Sequence, residues 1–237
     1  MYKIKSLRKL DKSICDSIKT NCIVYSIYVQ VTDVNKAAKE IINIIQNTCW
    51  INNLLDEDDI ESYIKRAEPT IKYLVEDILN KVENEVTSDF GQYLVSNISQ
   101  VTLKDSLNHE KIPLAELWKE QTTGNPGFDF HSFSPNDLLV YGEAKYNATN
   151  NPYTVAINQI NHFIDIEKDI QEYTDLKRIF SKVTSRHKNN NHKAFVAAFS
   201  LNAKDNDEIL AKAIKHNELC KLMNYPELYI IGVEICQ

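Results

Sequence analysis

The sequence predicts a mixed α/β fold: a β-sheet flanked by helices, with a largely helical N-terminal region. Three observations support this. Runs dense in β-branched and aromatic residues occur at Cys22–Val31, Ala194–Leu201 and Leu228–Ile235, and such residues suit a pleated backbone. Other stretches repeat apolar residues at helical spacing, such as Ala37, Ile41, Ile44 and Ile45. Finally, two strand-like runs flank the turn Ser134-Pro135-Asn136-Asp137. From there the order is hairpin, helix, strand, helix, strand, which implies a mixed sheet with helices on both faces.

Taken in order, Cys22–Val31 reads as a strand, and Asp33 caps a helix over residues 34–47. The acidic residues Asp56 to Asp59 suit the positive end of a further helix. Residues 58–66 and 69–84 read as two helices, with Pro69 in the first turn of the second and Ile71, Leu74, Val75, Ile78 and Leu79 inward. A helix from Thr87 or Ser88 turns Phe90, Leu94, Val95 and Ile98 toward the core, and Trp118 reads as a core residue. Gly124, Pro126, Gly127, Pro135, Gly142 and Pro152 cluster around the hairpin, as expected where the backbone turns sharply. Residues 153–172 then read as one helix with Ile157, Ile160 and Ile164 on its apolar face, and a last helix spans about Asp205 to Asn217. These elements divide into an N-terminal region, 1–84, packed on a core of residues 85–237.

A chain of 237 residues can bury a full core. Its 27 basic and 33 acidic residues give a net charge of -6, so gripping DNA would need a local positive patch, a metal or a partner's surface. The five cysteines are scattered without a CxxC pair, which indicates neither a disulfide framework nor a zinc ribbon and fits a reducing cytoplasm. No signal peptide or membrane span is expected, because no apolar run is long enough.

The chemistry concentrates in the hairpin Gly127-Phe128-Asp129-Phe130-His131-Ser132-Phe133 and Leu138-Leu139-Val140-Tyr141-Gly142-Glu143-Ala144-Lys145. Side chains alternate along a strand, so Glu143 and Lys145 share a face with Leu139 and Tyr141. A loop of three or five residues sets Asp129 opposite Glu143, whereas a two-residue turn puts it on the wrong face. The hydrophobic pattern selects the first register. Two facing carboxylates repel unless a cation lies between them, and hard oxygen donors favour Mg²⁺ or Mn²⁺. A lysine beside such a pair fits metal-assisted phosphodiester hydrolysis.

Asp129 followed by Glu143-Ala144-Lys145 on a hairpin resembles the core of the PD-(D/E)xK, or restriction-endonuclease-like, nucleases. More narrowly, Gly-Phe-Asp before the hairpin, Gly-Glu-Ala-Lys after it and the preceding helical segment resemble the HamA-type effector nucleases of the Hachiman antiphage defence system. The resemblance covers roughly residues 85–237 and implies a restriction-endonuclease-like sheet. It implies that Asp129, Glu143 and the Ala144 carbonyl bind Mg²⁺ or Mn²⁺, that Lys145 assists the nucleophile, and that Gln159 on the following helix joins the site. It further implies DNA as substrate, no small-molecule cofactor, and a partner helicase or ATPase of superfamily 2, HamB-like, that restrains the nuclease. Many members carry a glutamate on the helix before the hairpin; Gln92 stands there, with Glu85 and Asp89 as substitutes on other turns.

Lys177, Arg178, Lys182, Arg186 and Lys188 form the strongest basic run, either a solvated helix face or a phosphate-binding surface. His187 and His192 lack further spaced ligands and do not indicate zinc. An isolated E-x-K triplet is also common as a plain salt bridge. Two other readings therefore stand beside the effector nuclease: a binding module of the same fold with weak or no activity, and a restriction or repair endonuclease.

Overall fold

The computed structural model describes residues 1–10, 21–54, 56–78, 86–119 and 127–236. Its strands are β1 Tyr2–Leu10, β2 Ile23–Val31, β3 Glu110–Lys111, β4 Phe130–Phe133, β5 Leu139–Lys145, β6 Lys193–Leu201 and β7 Glu227–Ile235. They form one seven-stranded sheet in the order β1-β2-β7-β6-β5-β4-β3. Neighbours among β2, β7, β6 and β5 pair in parallel. Antiparallel pairings add β1 at one edge and β4, then β3, at the other. Every residue of β6 is buried, as a strand covered on both faces must be.

The longer helices are α1 Val34–Gln46, α2 Glu57–Tyr73, α3 Ser88–Leu107, α4 Tyr153–Asp165, α5 Lys168–Ile179 and α6 Asn206–Ile214; Leu219–Leu222, α7, is a single turn. On one face of the sheet, Tyr141, Phe195 and Phe199 pack with Ile157 and Ile160 of α4 and Leu176 of α5. On the other, Val140, Ala144, Val196 and Ala198 pack with Ile41 of α1 and Leu94 and Ile98 of α3. The acid and hydroxyl caps work as the sequence indicates: Asp33 accepts from Lys36 N at 2.8 Å and Thr87 from Phe90 N at 3.3 Å.

Several elements differ from expectation. β1 is an additional strand, so the described part of residues 1–84 contributes two strands to the sheet; the boundary drawn at 84, like Leu79, Glu85, Gly124 and Pro126, lies outside the described residues. Pro69 does not begin a helix but sits inside α2, which continues into a wider π-helical segment at Leu74–Ile78. Ala67, Thr70 and Leu74 are buried there, and Thr70 Oγ1 donates to Arg66 O at 3.3 Å, so packing outweighs the roughly 3 kcal/mol that an interior proline costs. The helix expected over 153–172 is two helices. Glu167 turns the chain with φ 56 in the left-handed region, and Gln171 Nε2 donates to the Ile166 carbonyl at 3.0 Å. That break sends α5 back toward the hairpin. Cys220 is in a disulfide, a pairing the cysteine spacing does not announce. Among the described residues no helix is long and apolar enough to cross a membrane.

Candidate active site

The ladder of the central hairpin runs from Phe130↔Gly142 to Phe133↔Leu139, leaving the five residues Ser134 to Leu138 as its loop. Ser134 N donates to Leu138 O at 2.9 Å and Asp137 takes φ 62 to close it. In this register Asp129 lies one step beyond the last pair, at the open end beside Glu143, and its N–H donates to Gly142 O at 2.9 Å. Gly142 has to lack a side chain, because a Cβ there would overlap the Phe130 ring.

Five predicted residues, Asp129, Glu143, Ala144, Lys145 and Gln92, therefore meet at this end. Asp129 Oδ2 accepts from Ala144 N at 2.7 Å, and Oδ1 accepts from Gln92 Nε2 of α3 at 3.4 Å. Lys145 Nζ lies 2.6 Å from Glu143 Oε1, with Lys145 22% and Glu143 2% exposed. The other Glu143 oxygen, Oε2, is buried without a hydrogen-bond partner. An unpartnered buried carboxylate oxygen is costly, and such groups call for a functional explanation.

The electrostatics agree. Burial pushes both carboxyls up, Glu143 well above its ordinary range with Asp129 as the next cause, and Asp129 against the opposing pull of Lys145 and the Ala144 N–H. Burial lowers the Lys145 ammonium, but Glu143 and Asp129 outweigh it and leave its pKa raised. Burial drives both carboxyls up and the two acids hold the ammonium up, so each carboxyl here favours a bound proton or a cation over a bare charge.

Four further residues complete the surroundings. Glu116, in the 3-10 turn Ala115–Leu117, is half-buried with Oε2 unpartnered; burial, then Asp129, pushes its pKa up to about 7. Behind the hairpin, Glu172 of α5 accepts from Phe128 N at 3.1 Å and contacts His131 Nε2 at 2.9 Å. Lys119 Nζ lies 3.0 Å from Glu172 Oε1 and donates to Phe128 O at 2.7 Å. Both backbone groups of Phe128, the residue before Asp129, are thus fastened by one buried ion pair. These residues were missed because each is a single charged residue, far from the hairpin in sequence or without a spacing motif; only His131 shared the predicted face of Asp129.

Gly127 approaches this network so closely, at φ +136, that a Cβ would overlap Glu172 Oε1. Gly127→Ala is expected to destabilise the chain by about 2 kcal/mol or more through strain at that φ and the displaced carboxylate. The midpoint of urea unfolding measures it; an unchanged midpoint would refute the close approach.

The sign of the pH dependence follows from the raised carboxyls. Their folded pKa values exceed the unfolded ones, so the folded chain holds more protons, and stability is lost as pH rises from the ordinary carboxyl range through about 7 for Glu116. For Glu116 alone the full loss is on the order of 3 kcal/mol. Urea unfolding in EDTA should give a lower midpoint at pH 8 than at pH 5.5; a higher one would contradict this charge balance.

The remaining predicted residues lie elsewhere. Gln159 is half-buried on α4, on the Glu143 side of the sheet, and no hydrogen bond ties its amide to the hairpin among the described residues. Asp89 is exposed in the first turn of α3. The basic run does not gather round the carboxylates: Arg186 pairs with Asp137 in the hairpin loop at 2.6 Å, the opposite end from Glu143 and roughly 13 Å away along the strand. Lys182 pairs with Glu110, and Arg178 lies 3.7 Å from Asp59. Lys188 sits 4.6 Å over the Tyr173 ring, and Lys177 is exposed. The local acids and ring account for four of these five cations.

Among the described residues no group of three or more His, Cys, Asp or Glu side chains is placed to hold a metal ion. What is present fits a hard cation in donor type: Asp129 and Glu143 supply oxygens only, and Glu143 Oε2 has no protein partner. No protein-family model matches the chain, and no curated protein matches it.

Proposed function

We propose that this chain is a metal-dependent DNA nuclease of the restriction-endonuclease-like class, resembling the HamA-type effectors of antiphage defence. The observation that carries the reading is the buried Glu143 oxygen without a partner, beside a second carboxylate and a lysine at the open end of the hairpin. A buried carboxyl favours a bound proton or a cation over a bare charge, and a divalent ion is a cation that two such groups can share.

In this reading Asp129, Glu143 and the Ala144 carbonyl hold Mg²⁺ or Mn²⁺, which supplies Lewis acidity and charge neutralisation at the scissile phosphate. The protein's own parts have separate tasks. The Ala144 N–H fixes the Asp129 carboxylate. The Glu172–Lys119 pair holds the backbone on which Asp129 is carried. Lys145, partly exposed, keeps its ammonium within reach of an incoming phosphate or water. With the basic run tied to local acids, substrate grip falls to the site itself and to a partner's surface. A helicase-like ATPase suits that need, and a nuclease held by such a partner requires no strong DNA affinity of its own.

The test is incubation of the purified chain with plasmid and linear DNA, with Mg²⁺ or with EDTA, beside Glu143→Ala. Nicking or degradation by the parent with metal, absent in EDTA and in the variant, is the expected result. A folded parent that is inert both alone and with its helicase partner and ATP would favour the binding-module reading. Cleavage at a defined sequence or DNA structure would favour a restriction or repair enzyme.

A further inference from the structure

A cavity of about 380 Å³ lies beside the edge strand β3, and none of its described lining residues belongs to the carboxylate site. Its size falls in the range usual for small-molecule sites. Ile44 of α1, Ile112 and Leu117 beyond β3, and Phe180 at the end of α5 give it apolar walls. Buried Gln100 of α3 fixes one wall, donating to Ile112 O at 2.6 Å and to His131 O at 2.7 Å. Trp118 Nε1 donates to Pro113 O at 3.1 Å and holds the same segment.

The charge of this lining has one sign. Lys111 of β3 brings the one charged group there among the described residues, and no carboxylate lines the cavity with it. The backbone of Lys111 pairs with Ser132, but its ammonium forms no ion pair or hydrogen bond among the described residues. Burial, then Lys104, lowers its pKa to about 8 against the pull of Asp105 and Glu40, as for an ammonium short of counter-charge. Asn47 Oδ1 accepts from Cys49 N at 3.1 Å, which leaves the amide N–H groups of Asn47 as donors. Trp50 also lines the cavity, and its indole N–H is buried without a partner among the described residues. The two helices that end here are closed by their own caps, Asn47 N on Ile44 O at 3.3 Å and Phe180 N on Leu176 O at 3.0 Å, so the full charge of Lys111 sets the sign.

We propose that this cavity binds a small organic carboxylate, its apolar body against Ile44, Ile112, Leu117 and Phe180 and its negative charge on Lys111. A single ammonium matches the single charge of a carboxylate better than a phosphate dianion. The assignment stands apart from the nuclease reading, since neither metal nor DNA enters it.

Calorimetric titration of the full chain at pH 7 with 2-naphthoate, and with the neutral 2-naphthamide of the same shape, tests it in the parent, Lys111→Met, Lys111→Arg and Ile44→Trp. The parent should bind the carboxylate at least about tenfold more tightly than the amide, as one charge-assisted hydrogen bond allows. Lys111→Met should erase that preference and leave the amide affinity unchanged, while Lys111→Arg keeps the preference. Ile44→Trp, which narrows the cavity without touching the charge, should weaken both probes alike. Equal affinity of the parent for the two probes, or uptake of neither, would overturn the assignment. So would a carboxylate preference that survives in Lys111→Met. If that variant fails to fold, Lys111→Gln decides in its place: a lost preference supports the assignment and a retained one overturns it.

Discussion

Replacing Lys145 with methionine is expected to lower metal-dependent DNA cleavage by about 10²- to 10⁴-fold, the range for removing a positioned proton-transfer or charge-stabilising group. Lys145 is the cation within 2.6 Å of Glu143, and its exposure leaves it open to an incoming substrate. Methionine keeps most of the stem and loses the charge. Lys145 opposes the burial that pushes Asp129 and Glu143 up, so without it protons compete harder with metal and the Mg²⁺ concentration for half-maximal rate should rise. Lys145→Arg should not restore the parent rate, since a planar guanidinium cannot reproduce a compact ammonium on Glu143. Single-turnover cleavage across a Mg²⁺ series, with circular dichroism to establish folding, provides the check. Parent-like rates in a folded Lys145→Met chain would remove this lysine from the chemistry and favour the binding-module reading.

Glu172→Ala is expected to have the largest effect on stability, about 3–5 kcal/mol, because removing one partner of a buried pair strands the others. Lys119, His131 and the Phe128 N–H would each lose the same carboxylate. The His131 and Lys119 contacts outweigh burial and leave the Glu172 pKa lowered, so this group remains an anion in the folded chain. Glu172→Gln keeps an acceptor for Phe128 N and should cost roughly half as much. Urea unfolding at neutral pH measures both. A loss below about 1 kcal/mol for the alanine variant would mean that the network does not hold the hairpin's open end.

Much of the fold was legible in the sequence, where one local rule dominates. The apolar runs Ala194–Leu201 and Leu228–Ile235 lie within β6 and β7, and the acid and hydroxyl caps at Asp33, Asp56, Thr87 and Asp205 each accept a backbone N–H of their helix. β1 escaped for a physical reason. The pairing shifts between Ile4 and Ser6, so the strand changes face at the bulge: Ile4 packs on one apolar cluster and Leu10, also even-numbered, on the other. The alternation that marks a strand is thereby erased. The turn at Ile166–Glu167 was hidden because it uses neither glycine nor proline, only a left-handed glutamate. At the site, the hairpin's alternation brought Asp129, Glu143 and Lys145 into view. Lys119 and Glu172 could not be seen, because what assembles them is the fold of separate segments around Phe128, and single acids and lysines carry no period.

The sheet order also governs when the hairpin acquires its surroundings. β7, the last strand in sequence, lies between β2 and β6, so Ile23 must wait for Glu227 before it has a parallel neighbour. Such distant pairings close slowly. On the ribosome, a nascent chain that has not reached β7 leaves its N-terminal strands and the β5–β6 half of the sheet unjoined. The acidic hairpin then lacks a completed scaffold through most of synthesis, so its carboxylates and lysine come together only once the whole chain has been made.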